Sequence, residues 1–400
     1  MKSMKLYTWF VVAMSVITAC VIVTNVMRKS SRPVARHTVK CDSVGCKKVT
    51  ITVIDSMKFM QDYVRKDVKC KGLYLSGWTV GSLASINKFV RLASATEINT
   101  YVVDIKDDDG FVGYRSSVPS VLAVDGWMKK YNVDRMVKAF HDNGIYIIGR
   151  VVCFKDPLLA SRKLDLAIKS KNGGVWRDPH GRAWLNPYNR EAWAYIVAVA
   201  REGVSKGFDE IQFDYVRFAN DGDISDMDFS AYKETKHEVI DKFLAYVHQQ
   251  LPGVKLSADV FGIICESPGD VEGIGQELES VGKDIDCISP MVYPSHYALG
   301  QTIRGIHYQK PDLDPYGVVY NSLVKAKGRI AQVAGYKATV RPFLQDFTAK
   351  WLDSGNYMKY GAGELRLQIK AVYDAGYDEW LVWNASNRYS ESAFVIDEKK

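Results

Sequence analysis

The sequence predicts a closed (β/α)8 barrel of parallel strands. Eight short apolar runs alternate with segments of helical periodicity, which is typical of α/β folds. The alternation spans roughly 320 residues, a usual length for such a barrel, and no GxGxxG motif follows the first run, which argues against a doubly wound open sheet. The predicted strands are Gly72–Trp78, Thr100–Lys106, Tyr146–Phe154, Glu210–Phe218, Lys255–Gly262, Asp286–Tyr293, Thr339–Phe347 and Glu379–Ala385.

The segments between these strands have the spacing of amphipathic helices. The third helix has the clearest end signals, with Asn186 as the predicted N-cap, Pro187 at the first helical position and Gly207 at the end. The predicted helices are Ser82–Glu97, Val133–Asn143, Pro187–Lys206, Met227–Gln250, Val271–Val281, Val319–Ala334 and Gly361–Ala375.

The chain divides into four predicted parts. Residues 1–27 contain an uncharged, mostly apolar run of 22 residues that begins at Leu6, long enough to span a bilayer, and we interpret it as an uncleaved membrane anchor. Cleavage with lipidation at Cys20 is the alternative, although the apolar run continues well beyond that cysteine. Residues 28–69 form a polar, basic spacer, residues 70–392 the barrel domain and residues 393–400 a tail.

The formal net charge of +7 lies in the first 40 residues, which contain seven basic and no acidic side chains. The remaining residues, 41–400, carry 46 basic and 46 acidic groups. A neutral domain lacks the basic surface that nucleic-acid-binding proteins use, so we predict no nucleic-acid partner.

The cysteines do not form a metal-binding pattern. Cys41 and Cys46 are close enough for a small disulfide loop or can remain a reduced pair. Buried free thiols are expected at the cysteines that lie in or near apolar strands, namely Cys70, Cys153, Cys265 and Cys287.

Polar side chains near the C-terminal ends of the strands form the candidate site. In the fourth predicted strand, Gln212 and Asp214 alternate with apolar residues and therefore face the barrel interior. The same alternation turns Asp104 and Lys106 inward on the second strand and Arg150 on the third. A carboxylate in such a core is costly unless it is paired or used, and barrel enzymes keep their active sites at this end.

Asp214 and Asp259 are the candidate catalytic pair because they lie on consecutive strands, which are neighbours in a barrel. Glycosidic bond hydrolysis needs two carboxyl groups, one protonated as the acid and one ionised as the nucleophile or base. We expect Arg150 and Arg217 to keep Asp214 ionised, which makes Asp214 the nucleophile or base.

Asp259 is the acid candidate, because its neighbours Val260 and Phe261 provide an apolar setting. Glu266, in the following loop, is the reserve acid, and Asp104 is able to replace either member of the pair. A purely structural ion pair of Asp104 with Arg150 is an equally open interpretation.

Two long connections, at residues 155–186 and 294–317, mix aromatic side chains with Asp, Arg and Asn, a combination that suits sugars. The candidate substrate-binding residues are Asp104, Lys106, Arg150, Trp176, Gln212, Arg217, Tyr293, His296 and Trp383. No HExxH or HxH motif occurs, and the acidic run at residues 107–109 lacks the later Glu of a calcium loop, so we interpret it as a polar turn. We predict no metal and no organic cofactor.

Seven motifs along the chain resemble the bacterial "putative glycoside hydrolase" family. They are KGLYLSGW at 71–78, VVDIKDDDGFVGY at 102–114, WRDPHGRAWLNPY at 176–188, GFDEIQFDYVRF at 207–218, LSADVFG at 256–262, GIGQ at 273–276 and ISPMVYPSHY at 288–297. This family is a largely uncharacterised, usually exported TIM-barrel domain, distantly similar to α-amylase-like and α-galactosidase-like barrels. The resemblance covers residues 70–390.

The resemblance implies that an Asp at the end of the fourth strand, here Asp214, is the nucleophile. It implies an acid from the fifth or sixth strand, and Asp259 is the matching candidate. One departure is Ala219, where the family tends to have proline, and it affects the loop beside Asp214.

We therefore expect a membrane-anchored, extracytoplasmic glycoside hydrolase that acts on a cell-wall or environmental polysaccharide. The greater positive charge after the apolar run than before it favours the opposite, cytoplasmic orientation. A non-catalytic carbohydrate-binding barrel is the alternative from another class, and a metal-dependent hydrolase is a third hypothesis.

Overall fold

The computed structural model describes residues 63–270 and 272–394. The predicted anchor, most of the predicted spacer and most of the predicted tail lie outside these residues. Within them, no helix combines the length and the apolar character that crossing a membrane requires.

Eight parallel strands close into a barrel, because each strand pairs with the next along the chain and the last pairs with the first. All eight predicted strands and the predicted barrel are confirmed. The strands are β1 Lys71–Leu75, β2 Thr100–Lys106, β3 Tyr146–Val152, β4 Glu210–Asp214, β5 Lys255–Phe261, β6 Cys287–Met291, β7 in the two segments Thr339–Val340 and Phe343–Gln345, and β8 Trp380–Trp383. Pro342 lies between the two segments of β7, where a residue without an N–H group interrupts the ladder.

A helix follows each of the first seven strands. These helices are α1 Leu83–Ala95, α2 Val133–His141, α3 Arg190–Ser205, α4 Lys236–Gln250, α5 Leu278–Val281, α6 Pro315–Ile330 and α7 Ala362–Asp374. Shorter elements occupy the loops: helices Pro119–Leu122 and Pro157–Arg162, and the paired strands Lys169–Ser170 with Met227–Asp228 and Gln301–Ile303 with Ile306–Tyr308.

Four predicted helix starts are wrong. The helix predicted from Met227 begins at Lys236, because Met227 and Asp228 form a short strand, and the helix predicted from Val319 begins at Pro315. Asn189, not Asn186, is the N-cap of α3, and its side chain accepts hydrogen bonds from the N–H groups of Glu191 and Ala192. The predicted helix from residue 271 is reduced to the single turn α5, because Gly273 and Gly275 adopt positive φ angles that a helix does not accommodate.

Buried charges close the N-terminal end of the barrel. Arg341 and Glu210 are fully buried and form an ion pair, and Glu379 lies 3.8 Å from the same guanidinium. Both Glu210 oxygens accept further hydrogen bonds, one from the Ser257 hydroxyl at 2.5 Å and one from the Tyr146 hydroxyl at 3.2 Å. We call Arg341, Glu210 and Glu379 the lower cluster.

The residues just before β1 contact this same end of the barrel. The Tyr63 hydroxyl donates to the Asp209 carbonyl at 2.7 Å and accepts from the Lys255 N–H at 3.0 Å. Arg65 pairs with Asp286 at 2.7 Å. The barrel interior is therefore accessible from the opposite, C-terminal end.

The four cysteines expected to be buried free thiols are confirmed as such: Cys70, Cys153, Cys265 and Cys287. The predicted pair Cys41 and Cys46 lies outside the described residues.

Candidate active site

A cavity of about 730 Å³ opens at the C-terminal ends of the strands. Six strands contribute side chains to its wall: Arg150 from β3, Asp214 from β4, Asp259 and Phe261 from β5, Met291 from β6, Phe343 from β7 and Trp383 from β8. Loop residues complete the wall, among them Asp108, Tyr215, Arg217, Asp221, Glu272, Tyr293 and His296.

Asp214 is the last residue of β4 and is held on both carboxylate oxygens. Its Oδ2 accepts from Nε and Nη2 of Arg150 at 2.9 and 2.7 Å, and its Oδ1 accepts from the Tyr215 N–H at 2.6 Å. Tyr215 has a φ of +49°, a left-handed conformation that costs a non-glycine residue roughly 1–2 kcal/mol. Strained backbone of this kind is retained at functional sites, and here it aims an N–H group at the carboxylate.

Arg150 joins three carboxylates at the wall of the cavity. Besides Asp214, its guanidinium donates to Asp104 at 2.7 Å and to Asp108 at 3.1 Å. The guanidinium carbon lies 5.3 Å from the ring centroid of Trp383. We call Arg150, Asp104, Asp108 and Asp214 the upper cluster, in which a single guanidinium faces three acidic side chains.

Asp104 and Asp108 have different electrostatic settings. Burial raises the pKa of Asp104, although Arg150 and the Tyr74 hydroxyl, at 2.7 Å, act in the opposite direction. For Asp108, burial also favours the neutral form, but Arg150 and Lys155 outweigh it and hold the pKa well below its usual range. The Lys155 ammonium lies 3.0 Å from this carboxylate.

Asp259 has the opposite setting to Asp214. It is 2% exposed, and within the described part of the chain its Oδ1 has no hydrogen-bond partner. Burial, followed by the charge of Asp214, raises its pKa well above the usual carboxyl range, against the attraction of Arg150. The two aspartates directly follow Phe213 and Ala258, which are paired across β4 and β5, so the buried carboxyl of Asp259 lies beside the Asp214 carboxyl that Arg150 binds.

Lys106 does not reach the cavity, and its predicted inward orientation is wrong. A β-bulge separates it from Asp104, so that Asp104 pairs with Arg150 but Lys106 pairs with Val151, whose side chain has the opposite phase. Its ammonium forms a fully buried ion pair with Asp156 at 2.8 Å. The bulge turns the lysine towards the helix layer.

Three other candidates are placed away from the cavity wall. Trp176 is 2% exposed and packs in a hydrophobic cluster with Ala219 and Met227 of the connection after β4, where its Nε1 donates to the Asp223 carbonyl at 2.8 Å. Gln212 is fully buried below the cavity and donates to the Ser289 hydroxyl at 3.0 Å. Glu266, the reserve acid, is paired with Lys325 at 2.5 Å and does not line the cavity.

Arg217 lines the cavity but does not bond Asp214. Its guanidinium donates to the Phe218 carbonyl at 2.9 Å and to Asn220 at 3.0 Å, and lies 4.7 Å from the Phe261 ring centroid. The predicted support of Asp214 by an arginine therefore comes from Arg150.

Three aromatic candidates line the cavity. Trp383 stacks on Tyr74 with ring centroids 4.0 Å apart. Tyr293 and His296 form a second pair with ring centroids 5.1 Å apart, and partial desolvation lowers the pKa of His296. Aromatic faces and charged groups thus share one cavity, as sugar recognition requires.

Within the described part of the chain, no group of three or more His, Cys, Asp or Glu side chains is arranged to hold a metal ion.

Comparisons with known proteins identify relatives of this barrel. A family model described as "Putative glycosyl hydrolase domain" matches residues 72–389. A hypothetical protein from Ruminiclostridium thermocellum is 58% identical over 47% of this chain and 97% of its own, with a TM-score of 0.46. A comparison with curated proteins found no match.

Two more distant solved structures are similar to this chain. The PgaB (BpsB) glycoside hydrolase domain from Bordetella bronchiseptica is 10% identical, covers 83% of this chain and 100% of its own, and has a TM-score of 0.59. An alpha-galactosidase from Thermus thermophilus, solved in complex with stachyose, is 12% identical over 83% of this chain and 65% of its own, with a TM-score of 0.47. At such identities the likeness to PgaB shows a common barrel architecture.

Proposed function

This chain belongs to the "Putative glycosyl hydrolase domain" family, and from that premise we propose that it hydrolyses glycosidic bonds with Asp214 and Asp259 as the catalytic pair. The observation that carries the proposal is the contrast between the two carboxyl groups: Asp214 receives two hydrogen bonds from Arg150, whereas Asp259 is buried with an unpartnered oxygen. Two neighbouring carboxyls whose environments separate their protonation states are the equipment for this reaction.

In the proposed reaction, Asp259 donates its proton to the oxygen of the leaving sugar as the glycosidic bond breaks. Asp214 acts as the nucleophile or as the base that activates water, and Arg150 keeps it charged and oriented. Protonation of the leaving group by a positioned acid contributes about 10²- to 10⁴-fold to the rate. Once Asp259 has lost its proton, it takes one back from water or from the incoming hydroxyl in the second half of the reaction.

We propose a cell-wall or environmental polysaccharide as the substrate, with neutral sugars favoured over acidic ones. The cavity wall contains five carboxyl groups and two guanidinium groups, so it remains net negative when Asp259 is protonated. A uronic acid would meet this charge unfavourably. The aromatic side chains Tyr293 and Trp383 provide faces for sugar rings.

We further propose that residues 1–27 hold the enzyme at a membrane, that residues 28–69 act as a spacer, and that residues 70–392 lie outside the cytoplasm. The support is the uncharged apolar run of 22 residues. Protease treatment of intact cells should degrade the barrel domain, and mass spectrometry of the N-terminus should find no cleavage and no lipid at Cys20.

The direct test is hydrolysis by the full-length protein of a panel of purified wall and plant polysaccharides. Asp214→Asn and Asp259→Asn should each abolish the release of reducing sugar, whereas Glu266→Gln, a matched carboxyl change outside the cavity, should not. Activity that survives exhaustive chelation would exclude the metal-dependent alternative. If the wild type releases nothing but is retained by a glycan, the protein is a carbohydrate-binding barrel and the catalytic roles are withdrawn.

A further inference from the structure

We propose that Trp351 is the platform of a second sugar-binding subsite, which binds a pyranose ring of the same polysaccharide chain outside the catalytic cavity. The inference rests on the proposed glycosidase function and extends it. It predicts that the enzyme prefers chains long enough to reach from the catalytic aspartates to Trp351.

Trp351 exposes an unusually large apolar ring. It is 62% exposed, the same fraction as Trp78, and no large hydrophobic side chain other than Val64 is more exposed among the described residues. An indole face in water is unfavourable until an apolar surface covers it. The C–H face of a sugar ring is such a surface, and it leaves the hydroxyl groups of the sugar in water.

A row of aromatic rings leads from the catalytic cavity to Trp351. Tyr293 and His296 line the cavity with their ring centroids 5.1 Å apart, and His296 lies 5.9 Å from Trp351. These two steps place the indole within about 11 Å of the Tyr293 ring. Phe347 contacts both ends of the row, at 5.6 Å from Tyr293 and 5.8 Å from Trp351. A short oligosaccharide bound in the cavity is thereby guided towards the exposed ring.

The loop that carries Trp351 is fastened on its C-terminal side. The Met358 N–H donates to the Asp312 carboxylate at 3.0 Å, and the Tyr360 hydroxyl donates to the carbonyl of the same aspartate at 3.1 Å. The Tyr360 N–H bonds the Thr348 hydroxyl at 3.1 Å, which ties the two ends of the loop together. A platform ordered before binding loses less conformational entropy when a sugar docks on it.

Trp78 is a matched control, because it has the same exposure but a different environment. The Lys130 ammonium lies 5.7 Å from its ring centroid, so a cation already occupies one of its faces. No cation lies over the Trp351 ring in the described part of the chain. Trp78 also makes no ring contact with the row that begins at Tyr293.

The test compares kcat/KM for long and short substrates in Trp351→Ala, Trp351→Tyr and Trp78→Ala. The substrates are the polysaccharide that the hydrolysis panel identifies and a nitrophenyl glycoside of its sugar. Loss of one stacking contact should lower kcat/KM on the polysaccharide about tenfold in Trp351→Ala. The nitrophenyl glycoside should be hydrolysed at the wild-type rate, Trp351→Tyr should keep most of the activity, and Trp78→Ala should behave as the wild type. Equal losses on both substrates, or no loss on the polysaccharide, would overturn the subsite.

Affinity electrophoresis through gels that contain each polysaccharide separates failure of the subsite from failure of the proposed function. If the wild type hydrolyses nothing, the catalytic proposal fails, but retardation of the wild type and Trp78→Ala together with free migration of Trp351→Ala still supports the subsite. Free migration of all three proteins in every gel overturns the subsite as well.

Discussion

Arg341 and Arg150 are two of the buried arginines of the barrel, and their surroundings differ in a way that separates a structural role from a chemical one. In the lower cluster, the Arg341 guanidinium faces Glu210, and both oxygens of this carboxylate have donors. In the upper cluster, Arg150 is shared among three carboxylates, and Asp259 beside them has an oxygen without a donor. The first cluster is sealed at the N-terminal end, and the second opens into the cavity.

Because both clusters contain buried charges, burial of charge alone does not mark the active site of this barrel. A carboxylate with donors on both oxygens, such as Glu210, stabilises the fold only through its partners. A carboxyl whose donor is missing, such as Asp259, has a raised pKa and keeps a proton that it can give to a substrate.

The largest effect is expected from breaking the lower cluster. Arg341→Met leaves the Glu210 charge buried without its partner, which should lower the free energy of unfolding by about 3–5 kcal/mol. Denaturant unfolding measures the loss. The double variant Arg341→Met/Glu210→Gln should recover most of it because both charges are then absent, and kcat of the folded single variant should be unchanged. A fully stable single variant would contradict a structural role for this pair.

Asp259→Asn should have the opposite effect on stability. The folded state keeps the Asp259 proton at pH values where the unfolded chain, with a carboxyl pKa of about 3.9, has released it, so stability falls as pH rises above that value. The amide removes this loss of stability, and Tm at pH 7 should rise by about 1–2 °C for each kcal/mol recovered in a barrel of this length. Activity should fall by about 10²- to 10⁴-fold. A lower Tm at pH 7, or retained activity, would contradict the assignment.

The pH profile of kcat/KM should show which of the two clusters controls the pH dependence of activity. Activity should fall as pH rises through the raised pKa of Asp259, so the alkaline limb should lie above the ordinary carboxyl range of about 4. The double variant Arg341→Met/Glu210→Gln should keep this limb. It removes the Glu210 charge, which raises the pKa of Asp259, together with the Arg341 charge, which lowers it. A limb near pH 4 would mean that another group supplies the proton.

The smallest effect is expected at Glu266, a carboxylate outside both clusters. Glu266→Gln weakens a partly exposed contact with Lys325, so the free energy of unfolding should change by about 0–1 kcal/mol. The measured kcat should be unchanged, because the side chain does not line the cavity. A loss of two orders of magnitude would instead make Glu266 the acid.

The sequence was sufficient for the barrel because strand and helix periodicities are local. The alternation of polar and apolar residues within four consecutive strands also predicted correctly that Asp104, Arg150, Asp214 and Asp259 face the interior. The prediction failed for Lys106, because the bulge after Asp104 shifts the phase by one residue without a sequence signal. It also chose Asn186 over Asn189 as the N-cap of α3, since the spacing suits either asparagine.

Part of the candidate site was not predicted, because it is formed by tertiary contacts that the sequence periodicity does not encode. Trp176 is a predicted substrate-binding residue, but its loop forms a small strand pair with residues 227–228 and the ring is buried. Asp108 was interpreted as part of a polar turn, although the side chain lies in the cavity wall beside Arg150 and Lys155. The run of three aspartates after β2 was the available signal, and only the tertiary structure shows which of them faces the site.

The central claim is that Asp259 is protonated beside a charged Asp214, and infrared difference spectroscopy tests it most directly. Spectra of the wild type minus Asp259→Asn, recorded at pH 7, should contain the carbonyl band of a protonated carboxyl group. In the Asp214→Asn background, removal of the neighbouring charge should make this band titrate at lower pH. A difference spectrum that contains only carboxylate bands at pH 7 would contradict the account, because both aspartates would then be charged and neither could act as the acid.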